Sequence, residues 1–485
     1  MGDVRPRVVA RLGSAVLCCA LVLSGCASEV SPGDFVAFGA PARAATPGVA
    51  AVVRVPGGPA APATASTSTA SGGLPVPGAT SAAATVATPG MAAGASPVGS
   101  ITQLHHGSCA GFRNTDGITD TTIPIGNIAD LSGPVPGLFS SAQQATMAYA
   151  AYFNATSTIC GRTLKVTGYD SQTSAIGDQQ AATSACNDTF AVVGSVSAFD
   201  NGGASTVADC GIPDLRTIST TPERVASPVS FGTDAVDPTL VSTAQWRFIK
   251  SATGDAYQHT AVIYLDAGAA VPNADAYHAT LDALGFNIVY VQPIDVTAFN
   301  YAPYAAKLKS LGVTFVQFEG AAPYAVRLKQ AMQVQGVNPV FVMDSVAYDP
   351  AFVASGGTVL NGMYSYVDTS LFEDASSSPA VQLYTQWLHR VAPAARPSFF
   401  GMFAWGAMQL FTSLAVQLGG KLDRSALLAA IRATHGFTAD GLFAPQDVGG
   451  KVTSGCQAVI QLENGQWVRR SARPYVCADV FDSNR

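Results

Sequence analysis

Charge is scarce in this chain and histidine scarcer. Only 12% of the residues are Asp, Glu, Lys or Arg, and six are His. No block of Lys and Arg occurs and the formal net charge is −6, so the electrostatic footprint of a nucleic-acid-binding protein is missing. Of the histidines, His105, His106, His259, His278, His389 and His435, only the first two are adjacent. No His-Glu-x-x-His, no Gly-x-Ser-x-Gly and no phosphate-binding Gly-rich loop with Lys is present. The stretch Gly194-Ser-Val-Ser-Ala-Phe199 lacks the closing Gly of a nucleophile elbow. Catalysis needs a base beside a nucleophile, and the sequence offers no such pairing, which argues against an enzyme, a hydrolase included. No two cysteines have the Cys-x-x-Cys spacing of a zinc or redox site, so no metal or cofactor is expected.

What the chain does have begins with export. Arg5, Arg7 and Arg11 precede the apolar run Ala15-Val-Leu-Cys-Cys-Ala-Leu-Val-Leu23, which is too short to span a bilayer as a mature helix. The run ends in Leu23-Ser24-Gly25-Cys26. This tetrad resembles the bacterial lipobox, whose cysteine is acylated and becomes the new N-terminus, so Cys26 is the expected lipidation site and the expected membrane attachment is by lipid alone. Removal of residues 1–25, which carry three Arg and one Asp, leaves a net charge of −8. Of nine cysteines, Cys18 and Cys19 leave with the leader and Cys26 takes lipid. The remaining six, Cys109, Cys160, Cys186, Cys210, Cys456 and Cys477, are an even number in an exported chain, as a disulfide framework requires. Six cysteines allow 15 connectivities. Cys186 and Cys210 end successive helices flanking one strand, and Cys456 and Cys477 bracket an Asn464-Gly465 turn, which suggests those two bridges and leaves Cys109 with Cys160.

Residues 26–108 are Pro, Ala, Gly, Ser, Thr and Val with almost no charge and no periodicity, for example Pro59-Ala-Ala-Pro-Ala-Thr-Ala-Ser-Thr-Ser-Thr69. Such a segment buries too little apolar surface to offset its ordering entropy and reads as a tether. From Cys109 onward strands alternate with helices, the signature of α/β architecture. Strands are expected at 123–129, 164–169, 190–194 and 212–218, with helices at 140–154, 176–187 and 203–210. A helix over 240–251 is expected to leave this first lobe. A second set starts with the strand Thr260-Ala-Val-Ile-Tyr-Leu265. A helix–Gly–strand unit then recurs at Gly285, Gly312 and Gly336, each Gly suited to the left-handed residue that ends a helix. Strands are expected at 288–291, 314–318 and 340–343. Further helices are expected at 381–391, 399–418 and 422–434, with a hairpin over 457–468 around Asn464-Gly465. Residues 399–418 are long and apolar enough to span a membrane, but Gln409, Thr412, Ser413 and Gln417 favour a buried core helix.

The order of these segments resembles the type I periplasmic-binding-protein fold, and within it the leucine/isoleucine/valine-binding family of ABC transporter receptors. The likeness rests on Ile125-Gly-Asn-Ile-Ala-Asp-Leu-Ser-Gly-Pro134, Val192-Val-Gly194 before a Ser-rich loop, Thr220-Thr-Pro-Glu223, and Phe437-Thr-Ala-Asp-Gly-Leu-Phe443 before Gly449-Gly450. The resemblance implies two doubly wound α/β lobes joined by a multi-strand hinge. Lobe one is expected over 109–254 with 380–477, lobe two over 255–379, and a tail over 478–485. Hinge crossings are expected near Ser251–Thr260 and Asp368–Pro379. It further implies an extracytoplasmic protein that holds a small polar solute, an amino acid or similar, and passes it to ABC permease subunits. A sensor domain acting through a signalling partner shares the fold and stands as the alternative.

An amino-acid carboxylate wants backbone N–H groups and hydroxyls at strand ends, for which Ser195, Ser197, Phe199, Ser219 and Thr220 are placed; the same hydroxyls also suit helix caps. An ammonium wants a carboxylate from the opposite lobe, for which Glu319, Asp344 and, after Leu265, Asp266 are placed; the same carboxylates also suit solvated loops. Two departures leave the ligand open. The loop Asp266-Ala-Gly-Ala-Ala-Val-Pro272 has no aromatic, and Ala198-Phe199 stands where the family tends to have a hydroxyl.

Overall fold

In the computed structural model, residues 106–485 are described; the leader, Cys26 and the low-complexity stretch up to residue 105 lie outside the described residues. The short apolar strands of the first lobe are β1 (Thr122–Ala129), β2 (Thr163–Asp170), β3 (Ala191–Val193), β4 (Asp214–Ile218) and β5 (Ser230–Asp234). They alternate with α1 (Ser140–Thr156), α2 (Ala175–Asp188), α3 (Ala204–Cys210) and α4 (Pro222–Ala226). The sheet order is β2-β1-β3-β4-β5 and every pairing is parallel. The chain reverses winding direction between β1 and β3, so the loops leaving these two strands part and open a crevice at their carboxyl ends.

The chain then crosses to the second lobe through β6 (Leu240–Ser242) and enters α5 (Ala244–Ala252). There follow β7 (Thr260–Leu265), α6 (Ala270–Ala283), β8 (Ile288–Ile294), α7 (Ala302–Ser310), β9 (Phe315–Glu319), α8 (Ala322–Val334), β10 (Val340–Met343), α9 (Pro350–Gly356) and β11 (Tyr364–Val367). Gly285, Gly312 and Gly336 have φ of +72°, +62° and +67° and stop the helices before β8, β9 and β10 as their positions predict. The chain returns through α10 (Pro379–Val391), α11 (Phe399–Leu418) and α12 (Arg424–Arg432); α11 packs on the first sheet, α10 on α1 and α12 on α11. It crosses a third time into β12 (Cys456–Glu463) and β13 (Gln466–Arg469), ending in β14 (Val476–Cys477) and β15 (Val480–Asp482). The second sheet runs β13-β12-β11-β10-β9-β7-β8, with β14 on β12. Its parallel part, β8-β7-β9-β10-β11, repeats the order of the first sheet.

Helix α11 is the axis of the first lobe. Ser398 caps it by accepting from the Gly401 N–H at 3.0 Å, and 18 of its 20 residues are buried. It is long and apolar enough to cross a membrane, yet it lies wholly inside this lobe, where its apolar surface is covered by α1, the sheet and α12. Tyr149 of α1 shares a 3.0 Å hydrogen bond with its Thr412, so one of the polar groups that weighed against a membrane span is met inside the core.

Several expectations are corrected. Residues 240–251 do not form one helix: Leu240–Ser242 pair antiparallel with Val480–Asp482, a long-range ladder that local helix propensity does not report. For the same reason residues 478–485 are not a free tail. The hairpin over 456–469 does not return to lobe one but extends the second sheet, because β12 pairs antiparallel with β11. Helix α5 belongs with it, since Trp246 and Ile249 pack in the second sheet's core. Lobe one is therefore residues 106–234 with 379–447, lobe two 244–367 with 456–477. Three segments, 235–243, 368–378 and 448–455, join them, the first lying upstream of the crossing expected near Ser251–Thr260. Disulfides link Cys109 to Cys160, Cys186 to Cys210 and Cys456 to Cys477, tying the entry segment to the turn before β2, α2 to α3, and β12 to β14.

Candidate functional site in the inter-lobe cleft

The carboxyl ends of both parallel sheets face a cavity of about 260 Å³. Loops after β1, β3, β4 and β5 supply one wall, loops after β7, β9, β10 and β11 the other, and the crossing segments close the back. Three contacts knit the crossings together. Gln446 donates to the Asp368 carboxyl at 2.6 Å and accepts from the Ala235 N–H at 3.1 Å. Thr453 accepts from the Asp237 N–H at 2.9 Å. At the mouth, the Ala269 N–H of lobe two donates to the Ala198 carbonyl of lobe one at 3.0 Å.

The walls are chiefly apolar. Leu138, Phe139, Phe399 and Phe400 line lobe one, and Leu265 and Val346 line lobe two. Of the residues singled out in the sequence, Phe199, Ser219, Thr220, Glu319 and Asp344 lie on the cavity wall; Ser195, Ser197 and Asp266 do not. The Ser195 hydroxyl is fully buried and accepts from the Ile128 N–H at 2.8 Å, extending the β1 ladder. Ser197 shares a 3.3 Å contact with Asp130 and holds the Phe199 N–H. Asp266 is exposed beyond the rim. The Thr220 hydroxyl donates to the Ser197 carbonyl at 2.7 Å, and its N–H donates to Asp200 at 2.8 Å.

In lobe one the strand-end donors are held by the protein's own acids. The Asp130 carboxyl receives the Ala198 N–H at 2.9 Å, the Thr173 N–H at 3.1 Å and the Ser171 hydroxyl at 2.5 Å. The Asp200 carboxyl receives the Thr220 N–H and the Thr221 hydroxyl at 2.5 Å. A fully buried network anchors these loops: Arg224 bridges Asp178 at 2.7 Å and Asp214 at 3.1 Å, and Arg216 lies 3.6 Å from Asp200.

In lobe two the polar end is built from β9, β10 and β11. Trp246 of α5 donates to Gln317 at 3.1 Å, and Gln317 donates to the Glu319 carboxyl at 2.8 Å. Glu319 in turn faces Asp344. Burial, and then the neighbouring Asp344, push the Glu319 carboxyl well above the usual range. Burial pushes Asp344 up to about 7, the Val346 N–H and Glu319 opposing it. A second pair sits at the crossings: burial and Asp368 raise Asp234, and burial raises Asp368 to about 7 against its bond from Gln446. The hydroxyls of Tyr277 and Tyr366 lie close to Glu319 and Asp344.

Sequence reasoning missed Asp234, Asp368, Tyr277 and Tyr366. Asp368 follows the apolar end of a strand at Val367, the same signal that identified Glu319 and Asp344; Asp234 follows Gly232-Thr233 and carries no such signal. No cluster of His, Cys, Asp or Glu fit to hold a metal ion occurs among the described residues. Mutual geometry, an enclosed cavity walled by two lobes with a few convergent polar groups, is that of a small-molecule binding site.

Several solved structures share the fold. A fatty acid ABC transporter substrate-binding protein from Thermomonospora curvata superposes with a TM-score of 0.63 at 16% identity, covering 77% of this chain and 95% of its own. A leucine-binding protein from Thermotoga maritima gives 0.62 at 15%, covering 73% and 99%. An ABC transporter solute-binding protein from R. palustris in complex with benzoate gives 0.60 at 14%, covering 74% and 97%. No curated protein sequence matches the chain. The profile of the family described as periplasmic binding protein matches residues 122–466. That span runs from the first strand of lobe one to the hairpin of lobe two, and the chain belongs to the periplasmic binding protein family.

Proposed function

We propose that this protein is the solute-capturing component of an ABC-type importer, held at the outer face of the membrane by acylation of Cys26, and that it encloses one small solute between its lobes. The observation that carries this reading is the cavity itself, bounded by the carboxyl ends of both sheets and by all three crossings. Contacts assigned to the solute are Phe199, Ser219 and Thr220 from lobe one and Glu319 and Asp344 from lobe two. The apolar walls favour a solute with an apolar body beside its polar end, in keeping with structural neighbours described as binding leucine, a fatty acid or benzoate. A ligand drives closure only to the extent that it binds the closed state more tightly, and contacts from both lobes meet that condition.

The test is a melting-temperature screen of small solutes on the wild-type chain and on Ala321→Trp, which fills the cavity from the partly exposed N-terminus of α8. A binder of the folded state raises the melting point. The reading expects such a solute for the wild type and none of its stabilisation for Ala321→Trp. Equal stabilisation of both proteins would sink it. Cellular uptake of that solute should then require the wild-type chain and fail with Ala321→Trp.

A further inference from the structure

Five carboxyl groups, Asp234, Asp237, Glu319, Asp344 and Asp368, line the cavity, and no Lys, Arg or His does. The strand-end N–H groups of Ala198 and Thr220, which in such a crevice would receive a ligand carboxylate, are already occupied by Asp130 and Asp200. A ligand anion would thus enter a site with five acids, no counter-charge and two of its strand-end N–H donors taken, an arrangement that disfavours it. Two side chains point the other way. The Asp234 carboxyl, 4% exposed, has no hydrogen-bond donor among the described residues. The Gln245 carboxamide, 2% exposed, has its oxygen enclosed without a partner. Buried acceptors without donors are costly unless something supplies an N–H or O–H. Around them the walls are apolar.

We infer that the cleft selects an organic cation with an apolar body and no carboxylate, a primary amine of the alkyl or aralkyl class, its ammonium held by the Glu319–Asp344 and Asp234–Asp368 pairs. This rests on the reading of the cavity as the solute site and narrows it. The Glu319–Asp344 pair can carry one negative charge by sharing a proton between its two carboxyls. An ammonium supplies the missing donors, and one charge-assisted hydrogen bond to it is strong enough to show as a tenfold or larger effect on affinity.

The experiment uses the full chain carrying Cys26→Ser, so that no detergent competes for amphipathic probes. Phenethylamine, hexylamine, phenylalanine, leucine and hexanoate are titrated by calorimetry at pH 7.5. The inference expects the two amines to bind, the matching amino acids to bind at least a hundredfold more weakly, and hexanoate to give no heat. Asp234→Asn and Glu319→Gln should each weaken the amines at least tenfold; both changes remove a buried acid and keep its shape, and thermal melts check that they fold. Amino acids binding as tightly as amines, hexanoate binding, or no amine binding would each overturn the inference. Where an amino acid or hexanoate binds and Ala321→Trp abolishes it, the cavity remains the solute site and only the cation class falls. Amine binding that survives Asp234→Asn, Glu319→Gln and Ala321→Trp alike would overturn the cavity reading as well.

Discussion

At the scale of single residues, the site is expensive to keep. Asp368 is buried and Asp344 half-buried on the cavity wall, and burial pushes both up to about 7 from 3.8 by disfavouring their charge. A raised carboxyl pKa lowers stability as pH rises. Below the unfolded value both states are protonated and nothing is lost; between about 4 and 7 only the unfolded chain releases its proton; above 7 the whole penalty is present. A rise from 3.8 to about 7 corresponds to about 4 kcal/mol as an upper figure. Asp344→Asn keeps the acceptor that caps the Val346 N–H at 3.1 Å and removes the charge. We predict that it melts higher than the wild type at pH 8 and equally at pH 4. An unchanged melting point at pH 8 would show that Asp344 carries no such penalty. The Arg224 guanidinium is the reverse case: fully buried between Asp178 and Asp214, it balances charges that cannot leave. Arg224→Ala should cost about 3–5 kcal/mol in denaturant unfolding, with loss of the loop that holds Thr220.

At the scale of elements, the loop after β7 carries the clearest steric constraint between the lobes. Gly268 has φ of +55°, and a Cβ there would lie 2.6 Å from the Ala198 carbonyl oxygen and 3.2 Å from the Phe199 ring. The absence of an aromatic in Asp266-Ala-Gly-Ala-Ala-Val-Pro272, which the sequence shows as a departure from the family, thus has a steric counterpart: the loop meets Phe199 of the opposite lobe. Gly268→Ala should leave each lobe folded and disfavour the closed cleft, weakening solute binding tenfold or more; wild-type affinity in this variant would remove the loop from the closing mechanism. Most of the parallel strands and the helices between them were legible in the sequence from their apolar runs, and in lobe two from the helix-ending Gly285, Gly312 and Gly336; β5, β11, α4 and α9 were not. What was not legible depends on partners far along the chain. Leu240–Ser242 became a strand because Val480–Asp482 pairs with it. The 456–469 hairpin was visible from Asn464-Gly465, but its neighbour β11 was not. The disulfide Cys186–Cys210 could be read because α2 and α3 flank one strand. Among site residues, Glu319 and Asp344 could be read because a carboxylate closing an apolar strand lies at the crevice. Ser195 and Ser197 misled the sequence reading because a hydroxyl at the same place serves the backbone equally well.

At the scale of the whole molecule, two sheets of the same strand order face each other across three crossings joined through Gln446 and Thr453, a layout in which a few residues absorb the rotation of one lobe against the other. The proposed lipid at Cys26 would tether this clamp at the membrane through residues 27–105. Replacing Cys26 by Ser and fractionating cells should move the protein from the membrane to the soluble exported fraction; a variant as membrane-bound as the wild type would refute the anchor. The central claim, that a solute is enclosed between the lobes, is tested most directly by small-angle scattering of the protein with and without a saturating concentration of the first solute that raises its melting point. The account predicts a smaller radius of gyration on binding, with the compaction lost in Gly268→Ala. Saturation at one solute per chain with no change in the radius of gyration would contradict it.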